Sequence, residues 1–218
     1  MQPVIIPDEI QSLCERCNEV FGRNQLPDSC IEFARRELHG LLMNRSLFSR
    51  LMQSILDGDA FPDTHHPTLF DNELVLHVGP DRAYSLRMYL WGPGEYTAIH
   101  DHNAWGVIGT VTEGFEVINY SRLDDASREG YAELQERERF FLRSGESAHT
   151  YPLERGIHMT GNPTLGTIIT LSLYGKPLAR TYIQGFDAVN RRVFRIMSPR
   201  RKKAYLAAEA LRTLSSHA

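Results

Sequence analysis

The sequence predicts a mostly β, α+β protein: helices first, then an antiparallel β-barrel or sandwich, then one closing helix. Three observations predict it. Apolar residues recur at helical spacing up to about residue 57 and alternate from about residue 73. The alternating segments are short and end at turn-forming pairs and triplets such as Gly79-Pro80-Asp81, Gly92-Pro93-Gly94, Ser144-Gly145 and Gly161-Asn162-Pro163. A run of helices followed by a run of strands argues against βαβ units and for segregated layers.

The elements follow in order. Helical spacing marks residues 8–22, 29–43 and 45–57, and the first of these places Ile10, Leu13, Cys14, Cys17, Val20 and Phe21 on one face. Asp28 or Ser29 is expected to cap the second helix, with Pro27 breaking the chain before it. Residues 59–72 hold Pro62, Pro67, His65 and His66 and read as a loop. Strands are expected at 73–78, 83–91, 97–101, 106–111, 114–121, 132–142, 147–151, 156–161, 166–174, 180–186 and 191–197. A helix over 199–216 is expected to pack on the outside of the barrel, with Arg200, Arg201, Lys202 and Lys203 on a solvated face. The chain is thus one domain over 1–218: a helical cap at 1–58, a barrel at 73–197 and the closing helix.

Composition narrows the function. The chain has 218 residues, 42% hydrophobic and 23% charged, with a formal net charge of −3. That balance gives no reason to expect nucleic acid or an anionic membrane as partner. No segment approaches the ~20 apolar residues that span a bilayer. The first residues lack a basic stretch followed by an apolar run, so a cytoplasmic location is expected. Three cysteines, Cys14, Cys17 and Cys30, do not make a disulfide framework. Cys14 and Cys17 form a CxxC pair, but both sit on the apolar helix face and no second pair follows. A monomer or small homo-oligomer is expected.

The chemistry concentrates at Ile99-His100-Asp101-His102. Residues two apart on a strand share a face, so two imidazoles project side by side, as adjacent ligands of one metal ion must. A third ligand has to come from another strand. His158 is the candidate, in Pro152-x3-Gly156-x-His158-x3-Asn162; His149 is the alternative, as ligand or supporting partner. His77 is expected on a strand surface.

These segments resemble the two motifs of the cupin superfamily. The first reads G-x5-H-x-H-x3-4-E-x6-G, and here Gly94, His100, His102 and Gly114 keep its landmarks, with Val107 in the glutamate's place. His158-x3-Asn162 is similar to the metal-binding half of the second. The resemblance implies a double-stranded β-helix, or jelly-roll barrel. Trp91-Gly92-x-Gly94-x4-Ile99-His100-Asp101-His102, His102-x2-Trp105-Gly106-Val107-Ile108-Gly109 and Leu171-Ser172-Leu173-Tyr174-Gly175 resemble the cysteine dioxygenase family, including its bacterial mercaptopropionate dioxygenases. Members of that family hold iron on three histidines, with cysteine or glycine around the carboxylate position.

What the resemblance implies is an Fe2+ site on His100, His102 and His158, a small-molecule thiol and O2 as substrates, and a sulfinate as product. Three neutral imidazoles on one face of an octahedral ion leave three positions open for a chelating thiolate and O2. Zinc held the same way would instead activate water. The family's serine, histidine and tyrosine on a late strand correspond to Thr170, Ser172 and Tyr174, with Ser172 replacing the histidine. Tyr174 is the expected hydrogen-bond donor, and Arg180 or Arg87 the expected clamp for a substrate carboxylate. Trp105 is a candidate wall. No cysteine follows Cys30, so the cysteine–tyrosine cross-link of some members is not available. Two other readings stay open: a cupin dioxygenase acting on a non-thiol molecule, and a metal- or ligand-binding cupin without turnover.

Overall fold

The computed structural model describes residues 6–21, 26–59, 61 and 68–215. His65 and His66 lie outside the described residues. Three helices come first: α1 (Asp8–Phe21), α2 (Pro27–Leu42) and α3 (Arg45–Leu56). Eleven strands follow: β1 (Glu73–Val78), β2 (Tyr84–Trp91), β3 (Ile99–His100), β4 (Gly106–Thr110), β5 (Phe115–Arg122), β6 (Leu134–Leu142), β7 (Ser147–Thr150), β8 (His158–Gly161), β9 (Ile168–Gly175), β10 (Ile183–Asp187) and β11 (Arg192–Ile196). The chain closes with α4 (Pro199–Ser215).

The strands form two antiparallel sheets, ordered β1-β2-β9-β4-β7 and β11-β10-β3-β8-β5-β6. From β2 to β9 the chain crosses between the sheets at every step except the β5–β6 hairpin, the order of a jelly roll, two Greek keys wound on each other. The α+β jelly roll expected from the sequence is the observed fold, and it rests on this strand order.

Alternation along the first sheet separates two interiors. Tyr84, Leu86 and Met88 of β2, Val107 of β4, and Leu171 and Leu173 of β9 face the helices and are buried with Leu13, Leu38, Leu42 and Phe48. Each such fully buried side chain contributes about 1.5–3 kcal/mol relative to exposure. Helix α2 comes close enough to β4 that a Cβ on Gly109 would collide with Leu42. The opposite side chains, Tyr89, Trp91, Ile108 and Ile168, meet Phe115 and Val117 between the two sheets. The open end of this second interior carries the site.

Three local expectations differ from the structure. Helix α2 starts at Pro27 itself, with Leu26 extended before it and no side-chain cap. Proline suits the first turn because its fixed φ is helical and its missing N–H would have had no partner there. Helix α4 buries none of its residues, and Leu206, Leu211 and Leu214 are exposed. It is held mainly at its start, where Arg201 donates to the Thr181 carbonyl (3.2 Å) and Arg195 covers the Tyr205 ring. His77 is half-buried, stacked on Tyr84 at 5.6 Å, and its Nε2 is enclosed without a partner among the described residues. No described helix is long and apolar enough to cross a membrane.

Candidate metal centre

Two strands and His102, two residues beyond the end of one of them, build the centre. Strand β3 is only two residues long and lies between β10 and β8. Its His100 is paired in register with His158, the first residue of β8, so the two imidazoles share a face. His102 follows two residues later. All three are buried. One nitrogen from each lies within 4.8 Å of the others.

The ring environments fit a divalent cation. His100 Nδ1 is 2.9 Å from the Ala98 carbonyl, which can only accept, so Nδ1 carries the proton and Nε2 keeps its lone pair for a metal. His102 Nε2 and His158 Nε2 are 2.9 Å apart. Burial holds all three imidazoles below their ordinary pKa, His102 and His158 well below it, and for those two the neighbouring imidazoles add to the effect. At neutral pH they are therefore uncharged. Two neutral nitrogens this close need a proton or a cation between their lone pairs.

No acidic side chain completes the group: among the described residues, the potential ligand set is the three histidines alone. Asp101, between two of them, is turned away and forms a forked pair with Arg180 at 2.6 and 2.9 Å. Val107 is not the residue that faces the centre. It belongs to the layer under the helices, because odd-numbered positions of β4 point that way. Gly106 is on the barrel side, paired in register with Tyr174. The three-residue spacing from His102, which the cupin motif also allows, reaches this glycine.

The cavity above the histidines measures about 520 Å³. Its walls include Phe70, Tyr89, Trp91, Ile108, Tyr174 and Arg87. Tyr174 lies nearly parallel to His102, centroids 6.0 Å apart, and burial raises its phenol pKa, so it is a neutral O–H donor. Ser172 is fully buried, two residues before Tyr174 on the same face of β9. Thr170 Oγ1 accepts from Trp91 Nε1 at 3.0 Å and secures that ring.

The two arginines differ. Arg180 spends Nε on Asn103 Oδ1 (2.6 Å) and both terminal nitrogens on Asp101, which ties the His-Asp-His segment to the chain before β10. Arg87 is paired with Glu73 through Nη1 and with Ser85 Oγ through Nε at 3.0 Å, and its Nη2 has no partner among the described residues. Trp105 does not line the cavity; it packs against Phe21 of α1, ring centroids 5.3 Å apart. His149 points away from the centre and lies against Tyr151, 5.5 Å between centroids. Asn162 is fully buried and holds turns together, donating to the carbonyls of Trp91 (2.9 Å) and Gly166 (2.6 Å).

Glu73 was not found by sequence reasoning. Its signal was an acid opening an apolar strand, Glu73-Leu74-Val75-Leu76. It is nearly inaccessible and also accepts from the backbone N–H groups of Leu69 and Phe70 at 2.9 and 3.3 Å.

No protein-family model matches the chain. Among solved structures it is similar to a cupin 2 conserved barrel domain protein from Salinispora arenicola, with 16% identity over 52% of this chain and 83% of that one and a TM-score of 0.35. A cupin-2 domain protein from Rhodospirillum rubrum shares 14% identity over 54% of this chain and 66% of that one, TM-score 0.39. An oxalate oxidase in complex with the substrate analogue glycolate shares 19% identity over 43% of this chain and 42% of that one, TM-score 0.32.

Proposed function

We propose that this chain is a mononuclear non-haem iron(II) dioxygenase that oxidises a small thiol to its sulfinate. The observation that carries the reading is the ligand set: three buried, neutral imidazoles and, where a carboxylate would stand, Gly106 beneath the Tyr174 ring. Iron(II) on such a set supplies the full +2 charge and open positions for thiolate and O2.

The reaction balances as RS⁻ + O2 → RSO2⁻, with both oxygens from O2 and no added reductant. The chain's own residues have separable tasks. Phe70, Tyr89 and Trp91 keep bulk water from the reacting face. Tyr174 donates its phenol proton in a hydrogen bond toward the developing oxygen charge. Arg87, fixed from one side by Glu73 and Ser85, offers its free edge to a substrate carboxylate. Holding both reactants at one centre replaces a bimolecular encounter.

Ser172 supports a second reading, a dioxygenase acting on a non-thiol molecule, because a short hydroxyl stands where the thiol enzymes resembled here have a histidine. One panel separates the two. Metal content is measured by mass spectrometry on protein purified without chelators, and oxygen uptake is followed with small thiols, diketones and phenols after Fe2+ addition. Thiol-dependent uptake with both oxygens of ¹⁸O2 in the sulfinate is expected. Iron-loaded protein that consumes no oxygen with any thiol overturns the proposal. His158→Ala should lose metal and activity together.

A further inference from the structure

The mouth of the cavity carries charge that the proposed chemistry does not use. Five basic residues line the cavity, and two of them, Arg87 and Arg180, are neutralised by Glu73 and Asp101. The other three, Arg82, Lys176 and Arg201, are exposed and have no ion-pair partner among the described residues. Among the described residues that line the cavity, Asp81 is the one acid without an ion-pair partner.

The fold brings these three cations to one end of the barrel. Arg82 sits in the turn before β2, whose first residue Tyr84 is paired with Gly175, the neighbour of Lys176. Arg201 is bonded to the Thr181 carbonyl, in the segment that continues from Lys176. Asp81 and Arg82 both hold left-handed backbone, φ 50° and 56°, and both line the cavity. Helix α4 begins beside them, and buried Ser198 just ahead of it also lines the cavity.

Size points the same way. A volume of about 520 Å³ lies within the range of pockets for drug-sized ligands, roughly 300–1,000 Å³, far beyond what a three-carbon thiol acid fills. We infer that the substrate is an extended thiol with a second anionic group remote from the sulfur, and that Arg82, Lys176 and Arg201 bind that distal anion. The inference rests on the thiol dioxygenase reading for the sulfur end only.

The test uses two thiols of similar length that differ at the far end: N-succinylcysteine, with a distal carboxylate, and N-butyrylcysteine, without one. Binding to the purified protein is measured by calorimetry, and oxygen uptake is measured separately on iron-loaded protein. Tighter binding of the succinyl compound is expected, with the preference falling as salt rises. Arg82→Gln, Lys176→Gln and Arg201→Gln should each reduce that preference roughly twofold to fivefold and leave butyrylcysteine binding unchanged. Equal binding of the two thiols, or a preference that survives the triple variant, overturns the inference. A charge-dependent preference, with no oxygen uptake from these or from any other thiol of the panel, keeps the distal subsite and overturns the dioxygenase reading instead.

Discussion

Tyr174 occupies the space that a side chain at position 106 would need. A Cβ on Gly106 would lie 2.6 Å from Cδ1 and 2.7 Å from Cε1 of that ring. The glycine and the tyrosine are register partners on β4 and β9, so neither can move without the sheet. One contact thus accounts for both the missing carboxylate and the position of the phenol. Gly106→Ala should destabilise the protein by about 1–3 kcal/mol through overpacking. In a Tyr174→Ala background the same change should cost far less. Urea unfolding of the four proteins in this cycle measures the coupling, and additivity of the two changes would break the assignment.

The Asp101–Arg180 pair makes a second prediction. Asp101 is almost fully buried, accepts from Gln184 N at 2.7 Å, and has Arg180 as its counter-ion. Removing one member alone strands the other: Arg180→Met should lose about 3–5 kcal/mol. Asp101→Leu with Arg180→Met should lose less than Arg180→Met alone, since a buried pair is often replaceable by apolar side chains. A double variant as unstable as the sum of the singles would show that the pair contributes more than mutual neutralisation.

Strands and the histidine pair were legible in the sequence because both depend on local order. Alternation marks a strand wherever one face is buried, and His100-x-His102 shares a face by geometry alone. His158 needed a motif, since its partner β3 lies far away in the chain. Val107 was read into the glutamate's place, one residue past Gly106, because the motif allows two spacings; the pairing of Gly106 with Tyr174 on the barrel side is a tertiary fact. The Glu73–Arg87 pair was hidden for a similar reason: the β1–β2 register shifts between Val75 and His77, which no pattern in either strand announces. For α4, periodicity showed which residues share a face but not whether any surface covers them.

The buried thiols make a pH prediction. Burial raises Cys14 to about 11 and Cys17 to about 12, against an ordinary value near 8.5. A thiol kept neutral in the folded protein ionises first in the unfolded chain. Its stabilising effect is complete below about pH 8.5 and is lost as pH rises toward the folded values. Tyr84, also raised by burial, acts with the same sign at higher pH. Each thiol should lower stability by up to about 1.4 kcal/mol per pH unit within that window. Urea midpoints between pH 8 and 10.5 should fall in the natural protein and fall less in the Cys14→Ala, Cys17→Ala variant. Rapid modification of both thiols in the folded protein at pH 8 would contradict this burial.

Arg87 can be tested without stranding Glu73. The arginine alone cannot be removed cleanly, because the nearly inaccessible carboxylate would be left unpaired. Replacing both, Glu73→Gln with Arg87→Gln, removes the two charges together and keeps polar side chains near the Leu69 and Phe70 N–H groups. If Arg87 holds the substrate carboxylate, this variant should raise KM for mercaptopropionate roughly 10- to 100-fold, the loss of one charge-assisted hydrogen bond of about 1.5–3 kcal/mol. KM for cysteamine, a thiol without a carboxylate, should change little. Equal effects on both thiols would mean that the variant has disturbed the centre rather than removed a clamp, and a retained low KM for mercaptopropionate would place the carboxylate elsewhere in the cavity.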